Sequence, residues 1–396
     1  MSSLRLVSNP FALIDLSERT DGVKQAWTYA PLRGRAAIER ELRADYEPGM
    51  VTLMERIHAA RGPVSFAGDE IRWLTELGFL VRRDEIPDVV PVACPITRER
   101  LEALSSAPPP SFDAATWIVH PELVRWESGA VPPWFAADAR WWGASADAPV
   151  LAWTHPGTGL ASFCQLEEEL PALVPGQVPG GREASVRGSG ALARLGLVVP
   201  PDFVEDERLQ WERGCAQARE DLAAQGWHAL PELLPDFQRV ALSDHLLAMQ
   251  RAGFLSTRSA FAPLRHTVTN DPWITSLHRQ MKPFIERLSG RTVIATSGYG
   301  MIYEAGADLP PHIDRPECDL AVSLLLSFEP ETESPAKWPL FVASKPDRAR
   351  AAINTVLGRA VLYEGRAVAH WRERLPDDHR VMVAIFCYRR LEGPTT

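Results

Sequence analysis

The chain has 396 residues, 45% of them hydrophobic and 23% charged, and a formal net charge of −9. That length exceeds one small domain and the apolar content supports real cores, so two or three domains are expected. The acidic balance offers no overall basic field for a nucleic-acid backbone. No apolar run approaches membrane-spanning length, and the start lacks a basic region followed by a signal-type hydrophobic stretch.

Residues 4–16 form an apolar-rich, strand-like run interrupted by Asn9-Pro10, and residues 32–42 and 51–60 have helical spacing. After the break at Gly62-Pro63, residues 69–77 resume that spacing through Ile71, Leu74 and Leu77. Gly78 then stands as a C-terminal cap and residues 79–83 read as a short strand. Helix, break, helix and wing predict a winged-helix-like module over 1–104.

The Leu77-Gly78-Phe79-Leu80-Val81 run is echoed by Leu195-Gly196-Leu197-Val198-Val199. The echo fits a second module over 105–205, and fits equally a recurrent helix end followed by a strand. Between the two runs lie a linker at 105–111 with three consecutive prolines and an aromatic patch (Trp117, Trp126, Trp134, Phe135, Trp141, Trp142, Trp153) that reads mainly as packing. A Gly/Pro-rich loop follows at 175–190.

Helical patterns then cover 206–224, 235–250 and 274–288, with a strand at 227–230. Strand-like runs follow at 292–304, 319–327, 339–343, 360–363 and 380–389. Regularly spaced strands with turn signals between them predict a jelly roll braced by the helices, an α+β chain whose third domain spans 206–396.

The chemistry concentrates at Pro310-Pro311-His312-Ile313-Asp314-Arg315-Pro316 and at Ala369-His370-Trp371-Arg372. In extended backbone, His312 and Asp314 project to one side. With His370 they form two imidazoles and a carboxylate, the facial triad of non-heme Fe(II) sites. His379 is the rival to His370, and the remaining histidines read as structural. Arg380 follows ten positions after His370, on a strand where Arg380, Met382, Ala384, Phe386 and Tyr388 share one face. An arginine on an otherwise apolar face calls for an anion. Tyr303 is placed to help hold the same carboxylate, with Tyr299 second. Five scattered cysteines (Cys94, Cys164, Cys215, Cys318, Cys387) without a C-x-x-C pair read as reduced thiols of a cytoplasmic protein.

From about Gly226 to Tyr388 the chain resembles the Fe(II)/2-oxoglutarate-dependent dioxygenases, nearest to their prolyl 4-hydroxylase-like branch. The matching pieces are Tyr303-Glu304-Ala305-Gly306 through His312-Ile313-Asp314-Arg315-Pro316, Ala321 to Leu326, Trp338 to Val342, and Gly365 through His370-Trp371-Arg372 to Arg380. The resemblance implies a double-stranded β-helix and iron held by His312, Asp314 and His370. It further implies that 2-oxoglutarate is held by Arg380 and Tyr303, and that O2 is consumed to give succinate and CO2 as substrate is oxidised. Many prolyl hydroxylases carry Lys where this chain has Arg380, which separates the chemistry from prolyl hydroxylation as such. Arg315, Trp338, Trp371 and Arg372 flank the expected pocket as candidate substrate contacts; Arg315 and Arg372 read equally as structural.

Three functions compete. In the first, a peptide or protein substrate is held by the N-terminal modules, a winged helix adding a strand to it. In the second, the substrate is a small metabolite and the N-terminal part makes a homodimer or a lid. In the third, a nucleic-acid-binding regulator uses the oxygenase part as a sensor, against which the acidic balance speaks.

Overall fold

Short cross-strand pairing organises the N-terminal part of the computed structural model. The described residues are 6–8, 12–18, 22–32, 35–59, 64–82, 95–96, 118–126, 150–166, 192–251, 253–255, 262–269, 271–330, 337–345 and 347–391. Strand β1 (Leu6–Ser8) precedes a meander of β2 (Leu13–Glu18), β3 (Lys24–Leu32) and β4 (Arg35–Arg43), followed by helices α1 (Pro48–Ala59) and α2 (Gly68–Glu76) and strand β5 (Leu80–Arg82). The meander is antiparallel throughout, and β5 pairs with β1.

The helix expected over 32–42 is instead β4. Its Ala, Glu, Arg and Leu residues favour a helix intrinsically. Pairing with β3, which sets Ala30 opposite Ile38 and Ala26 opposite Leu42, overrides that preference. Ala26 and Leu42 are then buried with Val51, Met54, Leu74 and Leu77 beneath the two helices. The helices and the strand after them lie where the sequence places them, but these residues do not show a winged helix.

In the middle of the chain, β6 (Pro95–Ile96), β8 (Val124–Trp126), β9 (Val150–Thr154) and β10 (Ala161–Leu166) form one sheet in the order β6-β10-β9-β8. Strand β7 (Ile118–Val119) pairs with β11 (Val198–Val199). The linker at 105–111, the loop at 175–190 and most of the aromatic patch lie outside the described residues. Trp153 of that patch is buried.

The Leu-Gly echo has one local cause. Phe79 N–H donates to Leu74 O (2.7 Å) and Gly78 N–H to Thr75 O (3.1 Å). Leu197 N–H donates to Leu192 O (2.9 Å) and Gly196 N–H to Ala193 O (3.0 Å). Both glycines have positive φ, +74° and +73°, the left-handed cap that ends a helix and turns the chain into a strand.

The C-terminal part begins with α3 (Phe203–Gln225), β12 (Trp227–Glu232), α4 (Asp236–Arg251), β13 (Arg265–Thr269) and α5 (Pro272–Ser289). Eight strands follow: β14 (Val293–Tyr303), β15 (Leu309–His312), β16 (Leu320–Glu329), β17 (Leu340–Ser344), β18 (Ala349–Ile353), β19 (Arg359–Tyr363), β20 (His370–Arg372) and β21 (Arg380–Arg390). They divide between two sheets, β12-β19-β16-β21-β14-β13 and β15-β20-β17-β18. Every pairing among these strands is antiparallel. Apart from the β17–β18 hairpin, consecutive strands from β14 to β21 alternate between the two sheets, which is the jelly-roll winding.

Strand β21 shows how the layers meet. Met382, Ala384, Phe386 and Tyr388 pack outward with Trp273, Leu277, Met281 and Phe284 of α5. Val381 and Val383 pack inward with Met301, Tyr303 and Leu325. The outer core runs without interruption from Val119 to Tyr388, so the strands of 118–199 share their core with the helices that brace the barrel. No helix among the described residues is long and apolar enough to cross a membrane.

Candidate metal centre

Strand β15 delivers His312 and β20 delivers His370, directly opposite it in the antiparallel register. Their ring centroids are 4.2 Å apart. Asp314 lies just past the end of β15, not within a strand as the H-x-D spacing suggests, and its N–H donates to Gly365 O at 2.8 Å. That bond turns the carboxylate toward the two rings. His312 Nε2 and His370 Nε2 stand 3.8 and 3.6 Å from Asp314 Oδ1. The ligand atoms of the three residues all lie within 4.8 Å of one another, the single such cluster among the described residues.

The protonation of both rings follows from their other nitrogens. His312 Nδ1 is 2.9 Å from Pro310 O and His370 Nδ1 is 3.2 Å from Val368 O. A carbonyl only accepts, so each Nδ1 carries the proton and donates, which leaves the Nε2 lone pair facing the carboxylate. Two lone pairs and an anion converging on one point repel unless a cation stands among them. Backbone anchoring of Nδ1 is also how metal-bound histidines are oriented. The residues fit a divalent metal on this ground. Burial and the charge of His370 push the pKa of His312 below its ordinary value, which favours the neutral, ligating form.

The other carboxylate oxygen, Asp314 Oδ2, is buried without a hydrogen-bond partner. Gly365 makes room for it: a Cβ there would come within 2.1 Å of Oδ2 and 2.8 Å of Cys318 O. Tyr363, two residues earlier, packs its ring 4.6 Å from that of His370. Burial first, and the Asp314 charge second, raise the Tyr363 phenol well above its ordinary pKa, so it remains a hydrogen-bond donor. The triad opens into a cavity of about 360 Å³ whose walls include Tyr299, Tyr303, Tyr363 and Arg265.

Arg380 does not enter this cavity. Its Nε and Nη2 donate to Glu329 Oε2 at 3.1 and 2.6 Å, and its face of β21 packs against the helices rather than the barrel interior. The alternation along β21 is as expected; the His312–Asp314–His370 cluster lies on the other side of the strand. That is the side of His379, whose ring is buried against Phe328 and takes no part in the metal cluster.

Tyr303 and Tyr299 both line the cavity. Tyr303 Oη donates to Met301 Sδ at 3.5 Å, and Tyr299 Oη accepts from Arg315 Nη2 at the exposed rim. Trp338 is buried behind the cavity, its ring 5.0 Å from Tyr303 and its Nε1 donating to Glu373 O at 2.6 Å. Trp371 faces away from His370, stacking on Phe341 at 5.6 Å beneath Arg350, so it is no pocket contact. Arg372 is buried.

One further expectation changes. Cys318, just ahead of β16, and Cys387 on β21 are joined as a disulfide across 69 residues of sequence, with Cα atoms 4.8 Å apart. Cys164 and Cys215 remain buried thiols, and Cys94 lies outside the described residues. The remaining histidines, read as structural, include two paired with carboxylates, His228–Asp221 at 2.6 Å and His245–Asp271 at 2.9 Å. These are pairs without a third donor. Tyr363, Gly365 and Arg265 carry the site without having been singled out for it. The Tyr-x-Gly spacing just ahead of His370 was the available signal.

No protein-family model matches the chain, and neither does any curated protein. Solved 2-oxoglutarate/Fe(II) oxygenases are similar to part of it. A Pseudomonas putida prolyl-4-hydroxylase is 17% identical over 45% of this chain and 100% of its own, with a TM-score of 0.37. A Trichoplax adhaerens prolyl hydroxylase, in complex with a hypoxia inducible factor oxygen degradation domain peptide fragment, is 16% identical over 46% and 92%, with a TM-score of 0.39. HygX from Streptomyces hygroscopicus, with nickel and 2-oxoglutarate bound, is 14% identical over 45% and 87%, with a TM-score of 0.36. Likenesses this distant assign no role to individual residues of this chain; the donor geometry above stands without them.

Proposed function

We propose that the chain is an Fe(II)- and 2-oxoglutarate-dependent oxygenase with its metal at His312, Asp314 and His370. The observation that carries this is the convergence of two Nε2 lone pairs and a carboxylate oxygen inside a jelly roll, with both Nδ1 protons already committed to backbone carbonyls. His312, Asp314 and His370 would hold the metal, and a two-histidine, one-carboxylate donor set would leave room on it for a chelating co-substrate. Iron with 2-oxoglutarate supplies the oxidising power: one O2 is consumed, one oxygen atom enters succinate as CO2 leaves, and the other enters a C–H bond of the substrate. The protein's own groups orient and enclose. Gly365 admits the carboxylate, the carbonyls of Pro310 and Val368 fix the rings, and Tyr299, Met301 and Ile385 line a cavity that limits water.

For the substrate we favour a peptide or protein segment, held partly by the N-terminal residues. Strands β2 and β4 are the two edges of the meander and can accept a further strand. In this reading 1–104 holds substrate, 105–205 braces the barrel and 206–396 performs the oxidation in a cytoplasmic setting. A small metabolite is the second reading, favoured by the cavity's volume of about 360 Å³, which suits one compact molecule. The test is succinate formation from 2-oxoglutarate in air with added Fe(II), first alone and then with peptide or metabolite pools. Metal-dependent succinate that rises with peptides supports the full proposal; a rise with metabolites alone moves the substrate to the second reading. No consumption under any condition contradicts the oxygenase assignment.

A further inference from the structure

The Cys318–Cys387 disulfide stands in the wall of the cavity at the His312–Asp314–His370 cluster, which both cysteines line. Its two ends hold different things. Cys387 is fixed within the six-stranded sheet, opposite Ser297 of β14 and Ala321 of β16. Its carbonyl accepts from His278 Nε2 at 2.8 Å and from Thr296 Oγ1 at 2.9 Å. Cys318 closes the short turn that begins at Asp314. Its N–H donates to Arg315 O at 2.9 Å, and residues 313–319 belong to no strand.

The turn is otherwise tied by hydrogen bonds. Asp314 N–H donates to Gly365 O at 2.8 Å, Thr296 Oγ1 donates to Glu317 O at 2.9 Å, and Arg315 meets Tyr299 Oη at the rim. Arg315, Pro316 and Glu317 are exposed, and Asp314 Oδ2 is buried without a hydrogen-bond partner. The covalent bond to β21 is therefore the strongest restraint on where the Asp314 carboxylate sits. A ligand held in place beforehand binds metal more tightly than one that must first be ordered.

We propose that Cys318 and Cys387 form a thiol–disulfide exchange site that sets metal affinity; this rests on the metal reading above. The oxidised pair holds Asp314 in its ligating position, and reduction by a small dithiol entering the cavity releases it. Disulfides in a cytoplasmic setting are usually transient or redox-sensing, which suits this role. In the exchange, one thiolate of the reagent attacks a disulfide sulfur, the S–S bond breaks, and the departing cysteine sulfur takes up a proton. The reagent's second thiolate then attacks the mixed disulfide, frees the other cysteine to take up a proton, and leaves the reagent as a cyclic disulfide. Two electrons and two protons pass from dithiol to protein.

The test uses the full chain, untreated and after anaerobic reduction of the folded protein with dithiothreitol that is then removed, with Mn(II) as the metal probe. Thiols counted on subsequently unfolded samples should rise by two on reduction. Calorimetric Mn(II) affinity should fall about tenfold or more in the reduced chain, with circular dichroism unchanged, and return on treatment with oxidised glutathione. The double variant Cys318→Ser/Cys387→Ser should bind Mn(II) as weakly as the reduced chain and ignore both treatments; if it does not fold, the wild-type comparison decides alone. Where the untreated chain binds Mn(II), three results each overturn the inference and leave the metal site standing. They are a thiol count that does not rise, an affinity equal or higher in the reduced form, and loss of the circular dichroism signal on reduction, which would mark the bond as a staple of the fold. Absence of Mn(II) binding in both forms overturns this inference and the metal reading together.

Discussion

Asp314 turns one oxygen to the imidazoles and presses the other against Gly365, so the smallest residue near the site controls its most demanding ligand. Gly365→Ala is therefore expected to displace the carboxylate and lower metal affinity by about 100-fold or more, with the fold retained; metal titration beside circular dichroism checks this. Unchanged affinity would mean that Asp314 is not a ligand. The three clustered donors were legible because a recognisable donor set acts over few residues, although Asp314 lies past the end of the strand whose alternation suggested it. Gly365 was not, since its role depends on an approach across strands. A second residue-scale expectation concerns His278, whose Nε2–H donates to Cys387 O at 2.8 Å and whose pKa burial depresses to about 3. Above pH 6.5 the ring is neutral in both states. Below that the unfolded chain takes up a proton that the folded chain refuses, so stability falls as pH drops, by at most about 1.4 kcal/mol per pH unit. Urea midpoints between pH 7 and 5 should decline, and less steeply in His278→Gln; equal slopes would contradict the assignment.

Single elements show why some boundaries were readable and others not. Helix α5 opens at Asp271, whose Oδ1 accepts from Trp273 N and Ile274 N at 3.0 and 3.3 Å while Oδ2 meets His245 Nε2 at 2.9 Å. Asp271→Ala removes a cap and strands a buried histidine. It should lower the unfolding free energy by about 2–4 kcal/mol in equilibrium denaturation, and a loss below about 0.5 kcal/mol would show the pair to be incidental. Such capped, amphipathic helices announce themselves in sequence. Strand β4 did not, because its helix-favouring residues are held extended only by β3. Strand β21 was recognised with its alternation correct, yet which face looked inward depended on α5 covering the other. Arg380→Met should accordingly leave metal and 2-oxoglutarate binding within about twofold of wild type, since it breaks a part-exposed pair of modest worth.

At the scale of the whole molecule, a jelly roll gathers donors from the strand ahead of one sheet crossing and from another strand some sixty residues later, and holds them against backbone carbonyls. The winding was legible from the spacing of strand-like runs; β13, β15, β18 and β20 were too short or too polar to register. The outer core shared between 118–199 and the barrel was not legible, because continuity of a core is a property of packing rather than of pattern. Everything proposed about chemistry and co-substrate depends on a metal at the His312–Asp314–His370 cluster. Anaerobic Fe(II) titration of wild type and His312→Ala tests this most directly. One tight site per chain in wild type, weakened by about 100-fold or more in the variant, is the expected result. No tight site in wild type, or equal affinity in both, would contradict the account.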